Sequence, residues 1–277
     1  MSQLAWHHDY VGQEYDASDY EVTRLDQDDP IEFAITTRYL ERFVPDGMTV
    51  ADVGVGGGQY SKLLARRGCR LHLVDVSQHL LDTTVKRLTA AGLEAQIASV
   101  QRASATNLAH LPRACCDRVL LLGPLYHLIE AEEHRRAVRE AARLLTPGGL
   151  VFAAGINRLT YLRDVVRSDP EDFVRRSAFF SDQLWRDGNL TKPDGQPASM
   201  HVTTVAELRA ELSPPFEEVV LVGVEAFASK SEGATAYKQA TPQTQAALLD
   251  LVERAGTTPE GLGVTSHYLY IGRVAPR

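Results

Sequence analysis

Short apolar runs alternate with amphipathic stretches through the first half of the chain. The runs are MTVADV (48–53), RLHLVDV (70–76), EAQIASV (94–100), DRVLLLG (117–123) and LVFAAGI (150–156). Their length and composition are typical of buried strands. Helices are predicted between them, at 59–68, 77–92 and 131–145. Strands that alternate with helices predict a parallel, doubly wound α/β sheet.

Less regular regions flank this alternation. Residues 1–45 combine an aromatic, acidic lead-in with a helix predicted at 30–44. Residues 158–200 have no clear periodicity, which indicates a cap inserted after the fifth strand. Two further apolar runs at 216–227 and 267–274 add strands. The predicted fold is therefore a Rossmann-like, doubly wound, mostly parallel seven-stranded sheet with an N-terminal helical arm and an inserted cap.

A glycine-rich turn joins the first strand to the next helix. Four glycines fall within residues 54–58, at the strand end where open parallel sheets bind ligands. Glycine permits positive φ and leaves no Cβ between backbone and ligand. Gln59 stands where the dinucleotide pattern G-x-G-x-x-G requires its third glycine, which disfavours a nicotinamide or flavin site. Asp75 closes the second strand, where an acid can accept the hydroxyls of a ribose.

Four segments, the glycine turn among them, resemble those of one enzyme family. DVGVGGG (52–58) resembles the first motif of class I S-adenosylmethionine-dependent methyltransferases, and REAARLLTPGGLVFAA (139–154) resembles the segment that enters their fifth strand. GPLYHL (123–128) and the N-terminal stretch 21–40 resemble one small-molecule branch of that family. The resemblance covers about residues 10–160 and implies S-adenosylmethionine as cofactor and a small-molecule acceptor.

The resemblance also implies roles for individual residues in cofactor binding. Asp52 and the backbone of Gly54, Gly56 and Gly58 would hold the methionine end. Asp75 would accept the ribose hydroxyls, with Val76 beside the adenine. Ser104 replaces the aspartate that usually contacts the adenine amine, and Leu122 and Gly123 would lie under the sulfonium.

The lead-in residues are candidates for a lid over the cofactor. Tyr15 would contribute an aromatic side chain to it. Arg24 would pair with the cofactor carboxylate, because a guanidinium matches a carboxylate as a two-pronged donor. The predicted organisation is an arm and lid helix (1–45), a cofactor-binding core (46–157), a cap or acceptor-binding insertion (158–200) and a C-terminal part of the core (201–277).

Tyr126 and His127 follow the fourth strand, at the edge where a reactive methyl group would lie. Histidine titrates near neutrality, so His127 is the first candidate for a base or an acceptor-orienting group, with Tyr126 beside it. Packing within the loop is the alternative for both. His7, His8, His201 and His267 are further candidates, although a lone histidine is more often structural.

Composition excludes several classes. The net charge is −7 with dispersed basic residues, which disfavours a nucleic-acid partner. No apolar run approaches the roughly 20 residues that span a bilayer, and no signal-peptide pattern is present, so a cytoplasmic protein is expected. Three cysteines form no disulfide framework. No residues have metal-ligand spacing, so methyl transfer without metal is expected; a homodimer is the default assembly.

Two alternatives remain open. A nucleotide-binding oxidoreductase would use the same sheet, and a methyltransferase-like protein would bind the cofactor without transferring a methyl group.

Overall fold

Nine strands form two sheets in the part of the chain that the structure describes. The structure is a computed structural model that describes residues 3–192, 197–229 and 231–275. The strands are β1 (Thr49–Val53), β2 (Arg70–Asp75), β3 (Ile97–Arg102), β4 (Cys116–Leu121), β5 (Leu145–Ile156), β6 (Asn189–Thr191), β7 (Pro197–His201), β8 (Phe216–Gly223) and β9 (His267–Val274). Seven of them form the main sheet in the order β3-β2-β1-β4-β5-β9-β8, and β6 pairs with β7.

Strand direction fixes which residues meet at each edge of the main sheet. β1 pairs in parallel with both β2 and β4, and β5 pairs in parallel with β4. β9 runs antiparallel to β5, so its first residue, His267, lies opposite Ile156, the last residue of β5. The start of β9 therefore lies at the carboxyl edge of the parallel strands, where doubly wound sheets bind ligands.

Helices cover both faces of the sheet. They are α1 (Gln3–Asp16), α2 (Tyr20–Gln27), α3 (Pro30–Phe43), α4 (Gln59–Arg66), α5 (Gln78–Ala90), α6 (Ala131–Leu144), α7 (Arg158–Ser168), α8 (Asp172–Arg175), α9 (Leu184–Asp187), α10 (Val205–Leu212), α11 (Ser231–Gln239), α12 (Pro242–Gly256) and α13 (Pro259–Val264). One apolar core forms against α6 and α10, and the other against α3, α4, α5 and α12. Within the described ranges, no helix combines the length and apolarity needed to cross a bilayer.

The segment after β5 has a small core of its own. Phe179, Phe180 and Leu184 pack with Val165 of α7 and with Val202, just beyond β7. Phe179 and Phe180 are thus buried within this small core.

The predicted fold class is confirmed, with local differences. The third strand begins at Ile97 because Glu94–Gln96 form a turn of 3-10 helix. The fifth begins at Leu145, which pairs with Cys116 before the register shifts around the glycines. The β6–β7 pair, α11 and α13 have no counterpart in the predicted elements.

Asn157 anchors the exit from β5. Its side-chain Oδ1 accepts from the Leu159 N–H at 3.0 Å and so caps α7. Its Nδ2 donates to the carbonyl oxygens of Thr265 at 2.8 Å and Gly263 at 3.2 Å. One buried amide therefore joins α7 to the loop that leads into β9.

We expect Asn157→Ala to lower the free energy of unfolding by about 3 kcal/mol, because it removes a helix cap and the hydrogen bonds that the buried amide donates to the loop before β9. Urea unfolding followed by circular dichroism measures the change. Asn107→Ala, at an exposed position, is the control and should unfold as the wild type does. Equal midpoints for the Asn157 variant and the wild type would contradict this role.

Candidate functional site

A cavity lies at the carboxyl edge of the sheet, where the strand order reverses between β1 and β4. The loops after the first four strands contribute Gly54, Val55, Gly56, Gly57, Asp75, Val76, Ala103, Ser104, Leu122 and Gly123 to its wall. The arm closes it with Val11, Tyr15, Glu21, Arg24 and Leu25. We call it the first cavity.

The glycine turn has little space for side chains. Gly54 and Gly56 have φ of +83° and +51°, a region that L-residues with a Cβ disfavour. A Cβ on Gly57 would lie 2.8 Å from the backbone carbonyl oxygen of Glu21 and 2.8 Å from the Cα of Val22, both in α2. The turn therefore supports the backbone of the arm directly.

Gln59 strengthens this contact. Its side-chain Nε2 donates to the Val22 carbonyl at 3.0 Å and to Asp26 Oδ2 at 3.2 Å. The residue that replaces the third glycine of the dinucleotide pattern thus holds the arm on the turn.

Two buried acids flank the turn, but only one of them lines the first cavity. Asp75 accepts from the backbone N–H groups of Ser77 at 2.9 Å and Gly56 at 3.4 Å, and burial raises its pKa to about 6. Asp52 accepts from the Ser61 hydroxyl at 2.5 Å, and burial raises its pKa to about 7. Neither Asp52 nor Gly58 is among the residues that line the cavity.

The loop after β4 contacts the arm through two side chains. His127 Nε2 lies 2.6 Å from the Tyr15 hydroxyl. Tyr126 donates its hydroxyl hydrogen to the Leu122 carbonyl at 2.9 Å. Burial raises the pKa of both tyrosines, so their hydroxyl groups are protonated near neutral pH. His127 and Tyr15 form the closest pair of acid–base groups in the wall of the first cavity.

Arg24 is enclosed by carboxylates of the chain. Its guanidinium lies 2.7 Å from Glu32, 2.9 Å from Asp29 and 3.1 Å from Glu21. These neighbours, against the cost of burial, keep the pKa of Arg24 well above its ordinary value. The pairing with a cofactor carboxylate remains a prediction, and it requires Arg24 to share its donors with these groups.

A second cavity of about 470 Å³ adjoins the first, and Tyr15, Glu21, Arg24 and Tyr126 line both. Its remaining wall comes from α2, the region after β5, α11 and the start of β9: Tyr20, Gln27, Asp28, Asp29, Ile156, Thr160, Tyr161, Asp164, Leu190, Met200, Val202, Ala234, Thr235, Lys238, Ser266 and His267. This volume lies in the range of small-molecule pockets.

A buried chain of charges runs beneath the second cavity. His267 Nδ1 lies 2.6 Å from Glu225 and 3.5 Å from Glu32, which in turn pairs with Arg24. Glu225 also accepts from the Thr265 hydroxyl and from the backbone N–H groups of Ser266 and His267. The two carboxylates overcome the effect of burial and raise the pKa of His267 to about 9.

The structure brings most of the predicted residues together. Tyr15, Arg24, Gly54, Gly56, Asp75, Val76, Ser104, Leu122, Gly123, Tyr126 and His127 line the first cavity. The side chains of His7 and His8 lie outside the described residues, and His201 lines neither cavity. Glu32 and Glu225 were not predicted, and His267, one of the further histidine candidates, lines the second cavity.

Residues 51–153 match the family model described as a methyltransferase domain. Ubiquinone biosynthesis O-methyltransferase of Caulobacter sp. (strain K31) is 32% identical over 163 residues, which cover 56% of this chain and 61% of that protein. The protein of the same name from Caulobacter vibrioides is 31% identical over 113 residues, covering 41% and 42%. The chain thus spans about two fifths to three fifths of the length of these curated relatives.

Solved structures share the fold at low identity. A SAM-dependent methyltransferase from Methanosarcina mazei superposes with a TM-score of 0.57 at 16% identity, covering 86% of this chain and 98% of that one. The N-methyltransferase NodS from Bradyrhizobium japonicum, in complex with S-adenosylhomocysteine, gives 0.55 at 16%, covering 98% and 100%. The cyclase SpnF gives 0.56 at 16%, covering 97% and 96%.

The strand order and the glycine turn are those of a Rossmann-like sheet, and residues 51–153 match a methyltransferase domain. S-adenosylmethionine is the cofactor that the sequence predicts for such a domain. The lining of the first cavity suits this cofactor, because Gly56 has no atom within 4 Å of its Cβ position and Asp75 offers a carboxylate at the end of β2.

His267 makes stability depend on pH. Its pKa is about 9 in the folded protein and about 6.5 in an unfolded chain, so the folded state holds the proton more tightly. The stabilisation is complete below pH about 6.5 and is lost as pH rises to about 9. We expect the free energy of unfolding of the wild type to fall by roughly 3 kcal/mol more over this interval than that of His267→Gln.

Urea unfolding at several pH values measures this difference. His110→Asn removes an exposed histidine instead and should keep the wild-type slope. Parallel curves for wild type and His267→Gln would contradict the ion pair.

Proposed function

We propose that this protein transfers the methyl group of S-adenosylmethionine to a small-molecule acceptor in the second cavity. The observation that carries the proposal is the common wall of the two cavities, formed by Tyr15, Glu21, Arg24 and Tyr126. A cofactor in the first cavity and an acceptor in the second would be neighbours across these side chains.

The chain's own residues would mainly bind and align the reactants. Bound S-adenosylmethionine supplies a methyl group on a positively charged sulfur. Asp75 would hold the ribose, Ser104 and Val76 the adenine, and Leu122 and Gly123 the region of the sulfur. Alignment at near-attack distance supplies most of the acceleration in such a displacement, and no metal is required for it.

His127 is the proposed acid–base group. An acceptor that carries a hydroxyl or a protonated amine must lose a proton, and an imidazole accepts one near neutral pH. The Tyr15 hydroxyl, 2.6 Å from His127 Nε2, would orient the ring or relay the proton. Tyr126 would shape the path between the cavities.

The wall of the second cavity indicates the character of the acceptor. Ile156, Leu190, Met200 and Val202 contribute apolar surface to this wall, and Asp28, Asp29 and Asp164 contribute carboxylates. Such a wall suits a molecule with an apolar body and hydroxyl or amino donors. The relatives' names support oxygen as the methylated atom. Residues 158–200 would then be the acceptor-binding cap that the sequence suggested.

Methyl transfer is tested with methyl-labelled S-adenosylmethionine and fractionated metabolite extracts, with the labelled product identified by mass spectrometry. We expect transfer by the wild type and by Asp46→Asn, a control at an exposed acid. Asp75→Ala should lose about 10- to 100-fold in cofactor affinity by calorimetry, because a charged acceptor is removed.

The other outcomes identify the alternatives. Thermal stabilisation by a nicotinamide dinucleotide but not by S-adenosylmethionine would indicate an oxidoreductase. Tight cofactor binding with no label transferred to any fraction would indicate a protein that binds without methylating.

We expect His127→Ala to lower kcat by about 100-fold or more and to flatten its dependence on pH, because a general base contributes about 10²- to 10⁴-fold. Tyr15→Phe, which removes only the neighbouring hydroxyl, should retain a histidine-dependent profile. Unchanged turnover and an unchanged pH profile in His127→Ala would remove this residue from the mechanism.

A further inference from the structure

Three side chains from distant parts of the sequence converge outside both cavities. His134 lies on α6, His201 ends β7 and Glu211 lies on α10. His134 Nδ1 is 3.2 Å from Glu211 Oε2, and His201 Nε2 is 3.7 Å from Glu211 Oε1. His134 is only 5% exposed. Two imidazoles therefore face one carboxylate in a largely buried position.

The outer nitrogen of each ring is held by an oxygen. His134 Nε2 lies 2.8 Å from the Leu128 carbonyl, and His201 Nδ1 lies 3.0 Å from Asn189 Oδ1. The amide of Asn189 is itself oriented, because its Nδ2 donates to the Ile129 carbonyl at 2.8 Å. A carbonyl oxygen only accepts, so each outer nitrogen carries a hydrogen, and in its neutral form each ring directs a lone pair inward.

The inner nitrogens, His134 Nδ1 and His201 Nε2, are buried and have no hydrogen-bond partner in the described part of the chain. The distances from these two nitrogens to the Glu211 carboxylate fit metal coordination instead of hydrogen bonding. Ligands about 2.1 Å from a tetrahedral metal ion are about 3.4 Å apart, and the line between two of them deviates about 35° from the direction of each lone pair. Distances of 3.2 and 3.7 Å without in-line hydrogen bonds agree with that arrangement.

We propose that His134, His201 and Glu211 bind a divalent transition-metal ion, with zinc as the best match, that fastens the β6–β7 pair to α6 and α10. Two imidazoles and one carboxylate are a common zinc ligand set, with water completing the coordination. Hydrogen bonds from the outer ring nitrogens to carbonyl oxygens are the usual support of metal-bound histidines.

The site would also brace the loop after β4. Leu128 and Ile129 directly follow His127 in the chain. The Leu128 carbonyl accepts from His134, and the Ile129 carbonyl accepts from Asn189. The proposed role is structural and leaves the methyl transfer itself free of metal.

A second buried triad shows the contrast. In Glu32, Glu225 and His267, the inner ring nitrogen already lies within hydrogen-bond distance of Glu225, at 2.6 Å. The His267 triad therefore shares a proton between the ring and a carboxylate. The cluster around Glu211 instead leaves His134 Nδ1 and His201 Nε2 without a hydrogen-bond partner in the described residues.

The test uses the full chain without a histidine tag, stripped by a chelator and titrated with Zn²⁺ by calorimetry, with bound metal counted by plasma mass spectrometry. We expect one equivalent per chain. Glu211→Gln, which keeps the side-chain volume, should bind at least 100-fold more weakly. Asn189→Ala should lose about 10-fold, because it releases the outer nitrogen of His201. His110→Asn is the matched control and should bind as the wild type does.

Two further readouts separate a metal site from an ion pair. Bound Co²⁺ should give the visible absorption of a tetrahedral ion in wild type but not in Glu211→Gln. Zn²⁺ should raise the Tm of wild type more than that of Glu211→Gln. Equal Zn²⁺ affinity in wild type and Glu211→Gln, or no bound equivalent in wild type, would overturn the proposal and leave an ion-pair cluster only.

Discussion

The two cavities depend on the buried chain of charges from Arg24 through Glu32 to His267 and Glu225. Two cations alternate with two carboxylates in this chain. Glu32 and Glu225, the two carboxylates, are each less than 10% exposed. Removing one member of such a chain leaves a buried charge without a partner, which is costly. This buried chain of charges joins α2, α3, the loop after β8 and the start of β9. It thereby fixes the arm relative to the sheet and defines the floor between the two cavities.

This arrangement follows from strand direction. In a wholly parallel sheet, the first residue of a strand lies at the edge opposite the ligand site. Because β9 is antiparallel to its neighbours, its first residue lies at the ligand-binding edge. The single reversal of direction therefore contributes a charged residue to an edge that otherwise consists of strand ends and loops.

The sequence predicted those features that depend on neighbouring residues. The strands, the glycine turn and Asp75 are visible because their signals lie within a few positions of one another. The support that Gly57 gives to the arm could not be predicted, since it depends on packing against a helix more than 30 residues earlier. The pairing of Glu225 with His267 and the cluster around Glu211 join side chains distant in sequence, where no spacing rule applies. The burial of these polar side chains identifies the two clusters, and burial is visible only in the structure.

The arm is a wall common to two compartments. Tyr15, Glu21 and Arg24 face both of them, and Gln59 fastens the same segment to the glycine turn. A molecule that shifts these side chains from one compartment changes the surface offered to a molecule in the other. Thermodynamic linkage makes that influence equal in both directions, so the affinity for a ligand in one cavity would depend on whether the other cavity is filled.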